Sequence, residues 1–144
     1  EKYIACGCFE YHASGNGMAK VAMELVESKP GYNGILKKNS VTAQDVLNAY
    51  ESNDEIATFV IRECIEYWGM AVANLVSLFN PEKIIFGGGV FGPAVKFIPS
   101  IFEEARKWAQ PISITQITIE PSALREDSAL YGAGYMALQK IGAI

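Results

Sequence analysis

The 144 residues are 50% hydrophobic and 19% charged, which suits one globular domain with enough apolar side chain for a core and excludes a disordered chain. A formal net charge of −4, with no basic cluster beyond Lys37-Lys38, leaves nothing to neutralise phosphates and sets aside nucleic acid and anionic membrane as partners of this chain. Cys6, Cys8 and Cys64 are an odd count and Cys64 lies in a helical pattern, so a reducing cytoplasm is expected rather than a secreted disulfide framework.

In chain order, Met18, Val21, Ala22 and Leu25 recur at helical spacing and predict a helix over residues 13–26, with Ser14 as a cap and Pro30-Gly31 beyond its end. The stretch KPGYNGILKKNS, residues 29–40, has the composition of a connecting loop. Thr42 then caps a short helix carrying Val46, Leu47 and Tyr50, and Asn53, followed by Asp54 and Glu55, opens a long one that Asn80-Pro81 stops. The second half of that long helix is apolar nearly all round, which predicts cover on most sides. Its run from Trp68 to Phe79 is interrupted by Gly69, Asn74 and Ser77 and is too short to cross a bilayer.

Lys83 to Phe86 is the first expected strand, Pro93 sits where the first turn of a helix tolerates proline, and Pro99 bends or restarts that helix. The second strand is expected over residues 114–119, ITQITI, and Asp127 is expected to begin a last helix with a small-residue stripe of Ala129, Gly132, Ala133 and Ala137. Glycines inside that helix cost roughly 1 kcal/mol each relative to alanine, which predicts something packed very close. The sum is a single α/β domain, a βαβ unit with a helical layer. Two parallel strands leave faces and edges uncovered, so the sheet is expected to be incomplete in this chain and the isolated chain to be marginally stable or to self-associate as a homo-oligomer.

The strand runs straight into glycines in IIFGGGVFG, residues 84–92, and glycine is what a chain uses where backbone must approach something closely. Gly87, Gly89 and Gly92 satisfy the dinucleotide fingerprint, but that fingerprint also needs an acidic residue about 20 residues on. Glu103 and Glu104 come too early for it and Glu120 late. A nicotinamide-dinucleotide protein therefore stays open as one reading, and a turn for the adenosine end of ATP as another.

Three stretches decide between them by resemblance. GCFEYHASG (7–15), ANLVSLFNPEKIIFGGGV (73–90) and LREDSALYGAGYMAL (124–138), in that order, resemble the C-terminal part of the ROK family of sugar kinases and repressors. The resemblance implies an actin-like ATPase fold, built of RNase-H-like domains with the nucleotide in the cleft between them. It implies a glucokinase-like use of ATP with Mg²⁺, a hexose substrate held by Glu10, and Gly87, Gly88 and Gly89 bordering the nucleotide. Ala129, Gly132 and Ala133 would let the last helix pack beside that site.

The resemblance also raises zinc at Cys8, the last cysteine of a family metal run, but the other ligands of that run are absent here and zinc is not expected in this chain. His12 falls outside the sugar-contact pattern. The family's phosphate-binding start and its catalytic aspartate belong to a region upstream of the part matched, so the chain, which opens at Glu1, is expected to be a fragment and the missing N-terminal half its partner. A sugar-sensing domain of a ROK repressor is the alternative from another class.

Overall fold

The structure is a computed structural model that describes residues 2–124 and 127–143. Arg125 and Glu126, inside the third family-like stretch, and Glu1 lie outside the described residues. The order is helix α1 (Gly7–Ala13), α2 (Gly15–Ser28), α3 (Ala43–Glu51), α4 (Glu55–Phe79), strand β1 (Lys83–Phe86), helix α5 (Ile98–Ala105), strand β2 (Thr118–Pro121) and helix α6 (Ser128–Lys140). Short 3-10 turns over Gly89–Phe91 and Pro93–Phe97 join β1 to α5.

The starts of the helices follow from single side chains. Ser14 Oγ accepts the Gly17 N–H at 3.0 Å, and Thr42 and Asp45 exchange hydrogen bonds in a capping box. Asp54, not Asn53, caps α4: its Oδ1 accepts the N–H groups of Ile56 and Ala57 at 3.0 Å each. Asn53 instead takes the left-handed backbone at φ 57° that turns the chain between α3 and α4. Pro93 and Pro99 stand in the first turns of their segments, and α5 restarts at Ile98 as the second proline requires.

The centre of the molecule is α4, against which α1, α2, α3 and α5 pack. Its buried stripe of Val60, Ile61, Cys64, Trp68, Val72 and Val76 meets Met18, Val46 and Ile101 from the surrounding helices in one core. The expected cover around its second half is partial among the described residues: Trp68, Val72, Ala73 and Val76 are buried, whereas in the last turn Leu78 is 75% and Phe79 72% exposed.

Strands β1 and β2 run parallel, Ile84 opposite Ile119 and Phe86 opposite Pro121. The crossover through α5 makes the expected βαβ unit, and two strands are the whole sheet among the described residues. Ile84, Phe86 and Ile119 face the core while Ile85 faces out. The second strand begins later than its sequence suggested. Ser113–Thr115 is a 3-10 turn, because Ile114 and Ile117 are buried at a spacing of three rather than alternating, and Thr115 Oγ1 donates to the Ile112 oxygen at 2.7 Å.

Helix α6 departs most from expectation. It has no buried residue, and a Cβ placed on Gly132 or Gly134 would meet nothing within 4 Å. The close neighbour that its small residues imply is not among the described residues.

Candidate functional site

Glu10 stands in the first turn of α1, a seven-residue helix that local periodicity did not reveal. That helix is held from the core side. Its last carbonyls, which no residue of α1 can satisfy, accept from α4: Cys64 Sγ donates to the His12 oxygen at 3.2 Å and Trp68 Nε1 to the Ala13 oxygen at 2.9 Å. Burial pushes the Cys64 thiol up to about 12, so it remains a donor. Gly17 fixes α1 against α2, since a Cβ there would run into the carbonyl oxygens of Glu10 and Tyr11. The Glu10 side chain itself is exposed and makes no hydrogen bond or ion pair with the described residues.

The glycines divide their work. Gly88 has φ 86° and ψ 175°, a backbone that favours glycine, and so turns the chain out of β1. An added Cβ on Gly87 would lie 3.1 Å from Ser128 Oγ and 3.2 Å from Ser122 Cβ, which places the start of α6 against the turn. Gly89 has open space around it.

Glu10 and Gly89 line one cleft of about 590 Å³. Its other walls are Ser14, Gly15 and Asn16 from the start of α2, Thr42, Ala43 and Gln44 from the start of α3, and Val90 and Pro93 after the turn. Two helix N-termini thus open onto the same space as the glycine turn, and their first N–H groups and the positive ends of their dipoles suit an anion. Glu10 is the one carboxylate among the described residues lining it. Ser14 and Thr42 were legible as helix caps; that the two capped ends converge on Gly89 is a tertiary fact with no local signal.

The neighbouring acids are engaged elsewhere. Asp45 sits 2.6 Å from Lys38 Nζ and accepts from the Thr42 backbone at 2.8 Å; Lys38 first, then Thr42, hold its carboxyl down at about 2. Asp54 accepts the Tyr32 hydroxyl at 2.6 Å besides capping α4. Glu120, half exposed, pairs with Lys83 at 2.9 Å.

His12 is buried. It stacks on Tyr67 with ring centres 4.8 Å apart, Tyr3 Oη lies 3.1 Å from its Nε2, and its Nδ1 has no hydrogen-bond partner, the nearest charge being Glu63 at 3.7 Å. Cys8 is exposed and its Sγ lies 3.6 Å from Tyr67 Oη. That contact, ahead of burial, raises the phenol of Tyr67. Among the described residues no three His, Cys, Asp or Glu side chains come together to hold a metal, so Cys8 has no companions for a tetrahedral zinc.

The model of the ROK family matches residues 5–140. A glucokinase of Halalkalibacterium halodurans is 31% identical over 137 residues, 93% of this chain and 42% of that protein. A xylose repressor of Caldicellulosiruptor bescii is 25% identical, over 92% of this chain and 34% of that protein. Among solved structures, a ROK family glucokinase from Streptomyces griseus in complex with glucose and AMPPNP superposes with a TM-score of 0.75 at 25% identity, over 92% of this chain and 45% of that one. The chain therefore spans less than half the length of the relatives it matches.

Proposed function

The chain belongs to the ROK family, and from that premise we propose that it is the C-terminal portion of an ATP-dependent hexose kinase, holding the sugar through Glu10 and the nucleotide at the turn of Gly87, Gly88 and Gly89. Its fold is of the actin-like ATPase type, carried here as a βαβ unit with a helical layer and an incomplete sheet. The observation that carries the reading is that Glu10 and Gly89 line one cleft.

Phosphoryl transfer depends mostly on positioning and charge stabilisation. The Glu10 carboxylate accepts hydrogen bonds from sugar hydroxyls, a charge-assisted contact that orients the ring. The N–H groups at the starts of α2 and α3 and at the glycine turn face the phosphates. Mg²⁺ bound with the nucleotide would neutralise charge on its phosphates, and since the one carboxylate lining the cleft among the described residues, Glu10, is given to the sugar, the metal would be held by groups outside those residues. The general base is assigned, by likeness to the family, to the region upstream of the part matched; Asp45 and Asp54 are engaged at the starts of α3 and α4.

The test is a coupled assay for ADP release with glucose, run on the natural polypeptide that contains these residues and on the 144-residue chain. Turnover by the former and none by the latter is expected. Turnover by the chain alone would overturn the division of labour. The likeness to a repressor supports one other reading, a sugar-sensing domain joined to a DNA-binding one; a natural polypeptide that binds sugar and operator DNA but releases no ADP would establish it instead.

A further inference from the structure

His12 sits in the last turn of α1, two residues after Glu10, and one of its ring nitrogens has nothing to bond. Tyr3 Oη occupies Nε2, Tyr67 covers one ring face and Tyr11 meets the ring edge-on with centres 5.1 Å apart. Nδ1, buried and without a hydrogen bond, costs stability. Its nearest charge is Glu63 Oε2, which at 3.7 Å is too far for a hydrogen bond. The Glu63 side chain is 32% exposed and makes no other ion pair or hydrogen bond with the described residues. A neutral ring carries a proton on one nitrogen only. A second proton makes both nitrogens donors, Nε2–H to the Tyr3 oxygen and Nδ1–H toward Glu63, and the added charge supplies the attraction that closes the gap.

We propose that His12 is a positioning residue for sugar binding: taking up a proton closes it onto Glu63, clamps α1 against α4 and steadies Glu10, so that affinity for the sugar rises as the pH falls. This rests on the assignment of Glu10 to the sugar. The other groups around the ring leave Glu63 as its counter-charge. From the segment before α1, Lys2 lies 5.0 Å over the rings of Tyr3 and Tyr11. From α2, Glu24 accepts the Tyr11 hydroxyl and Lys20 lies 4.5 Å over the same ring. From α4, Cys64 donates to the His12 carbonyl oxygen, and burial holds its thiol up. Hydrogen bonds to Glu24 and to Cys8 likewise raise the phenols of Tyr11 and Tyr67, so none of these three groups is charged near neutral pH.

The test is calorimetric titration of the natural polypeptide with glucose between about pH 5.5 and 8, the range over which histidine changes charge. The wild type is expected to bind roughly fivefold tighter at the acid end, the worth of one ion pair. His12→Gln and Glu63→Gln, which remove the proton and the carboxylate while keeping a side chain of similar length, should each bind with no such slope. A merely structural role would weaken both variants equally at every pH and leave the slope in place, and that result would overturn the proposal, as would a flat wild type. Should either variant fail to fold, titrations of the wild type in two buffers of different ionisation enthalpy read the protons taken up with glucose. Uptake is expected, and none would overturn the proposal. Glu10→Gln separates the two claims: loss of glucose binding in that variant beside a flat wild type rejects the proton clamp alone, whereas unchanged binding rejects the sugar assignment on which the clamp rests.

Discussion

Trp68, midway along α4, donates its indole N–H to the backbone oxygen of Ala13, the last residue of α1, across 2.9 Å. This bond ties the helix bearing Glu10 to the centre of the core and satisfies a carbonyl that the end of α1 leaves open. Trp68→Phe keeps an aromatic ring but strands that oxygen, so unfolding stability should fall by about 1–3 kcal/mol. Trp108 is 56% exposed, and Trp108→Phe should stay within about 0.5 kcal/mol. Urea titration of both variants checks the contrast, and equal midpoints would count against the anchoring role.

Gly17→Ala sets a methyl group against the carbonyl oxygens of Glu10 and Tyr11. Overpacking of this kind costs about 1–3 kcal/mol. The strain falls on α1, so sugar affinity should decline with stability. Gly89→Ala, made into open space, should leave the urea midpoint unchanged.

The capping box of α3 brings a pH dependence. Asp45 is held at about 2 by Lys38 and Thr42, while an unfolded aspartate titrates near about 3.9. A lowered folded value means that the carboxylate's contribution is complete above about pH 4 and is lost as the pH falls toward about 2. Asp45→Asn should lower stability at pH 7 and flatten the thermal midpoint between those two values. An unaltered acid profile would show that the box contributes nothing.

Elements whose signal is local were legible: the caps Ser14 and Thr42, the stop at Asn80-Pro81, the strand into Gly87 and the parallel pair. Helix α1 was not, because its seven residues are held by donors more than fifty positions away, Cys64 and Trp68, rather than by their own periodicity. The late start of β2 was missed because ITQITI reads as a strand by composition, while its buried isoleucines at 114 and 117 follow the spacing of a turn. At the site, Glu10 and the glycines were named from resemblance to a family. Their convergence with the starts of α2 and α3 depends on how four helices pack, which no stretch of sequence states. At the turn, Gly88, with φ 86°, is strained by any side chain, whereas Gly89 has open space, so Gly89 is the cleaner place for a substitution.

The most direct measurement is calorimetric titration of the natural polypeptide with glucose and, separately, with AMPPNP, for the wild type, Glu10→Gln and Gly89→Val. Loss of a hydrogen bond to a charged group, about 1.5–3 kcal/mol, predicts that Glu10→Gln weakens glucose roughly 10- to 100-fold and leaves AMPPNP unchanged. Gly89→Val is predicted to do the reverse, weakening AMPPNP and sparing glucose. Two variants that shift both ligands alike, or neither, would contradict the assignment of this cleft to sugar at one end and nucleotide at the other.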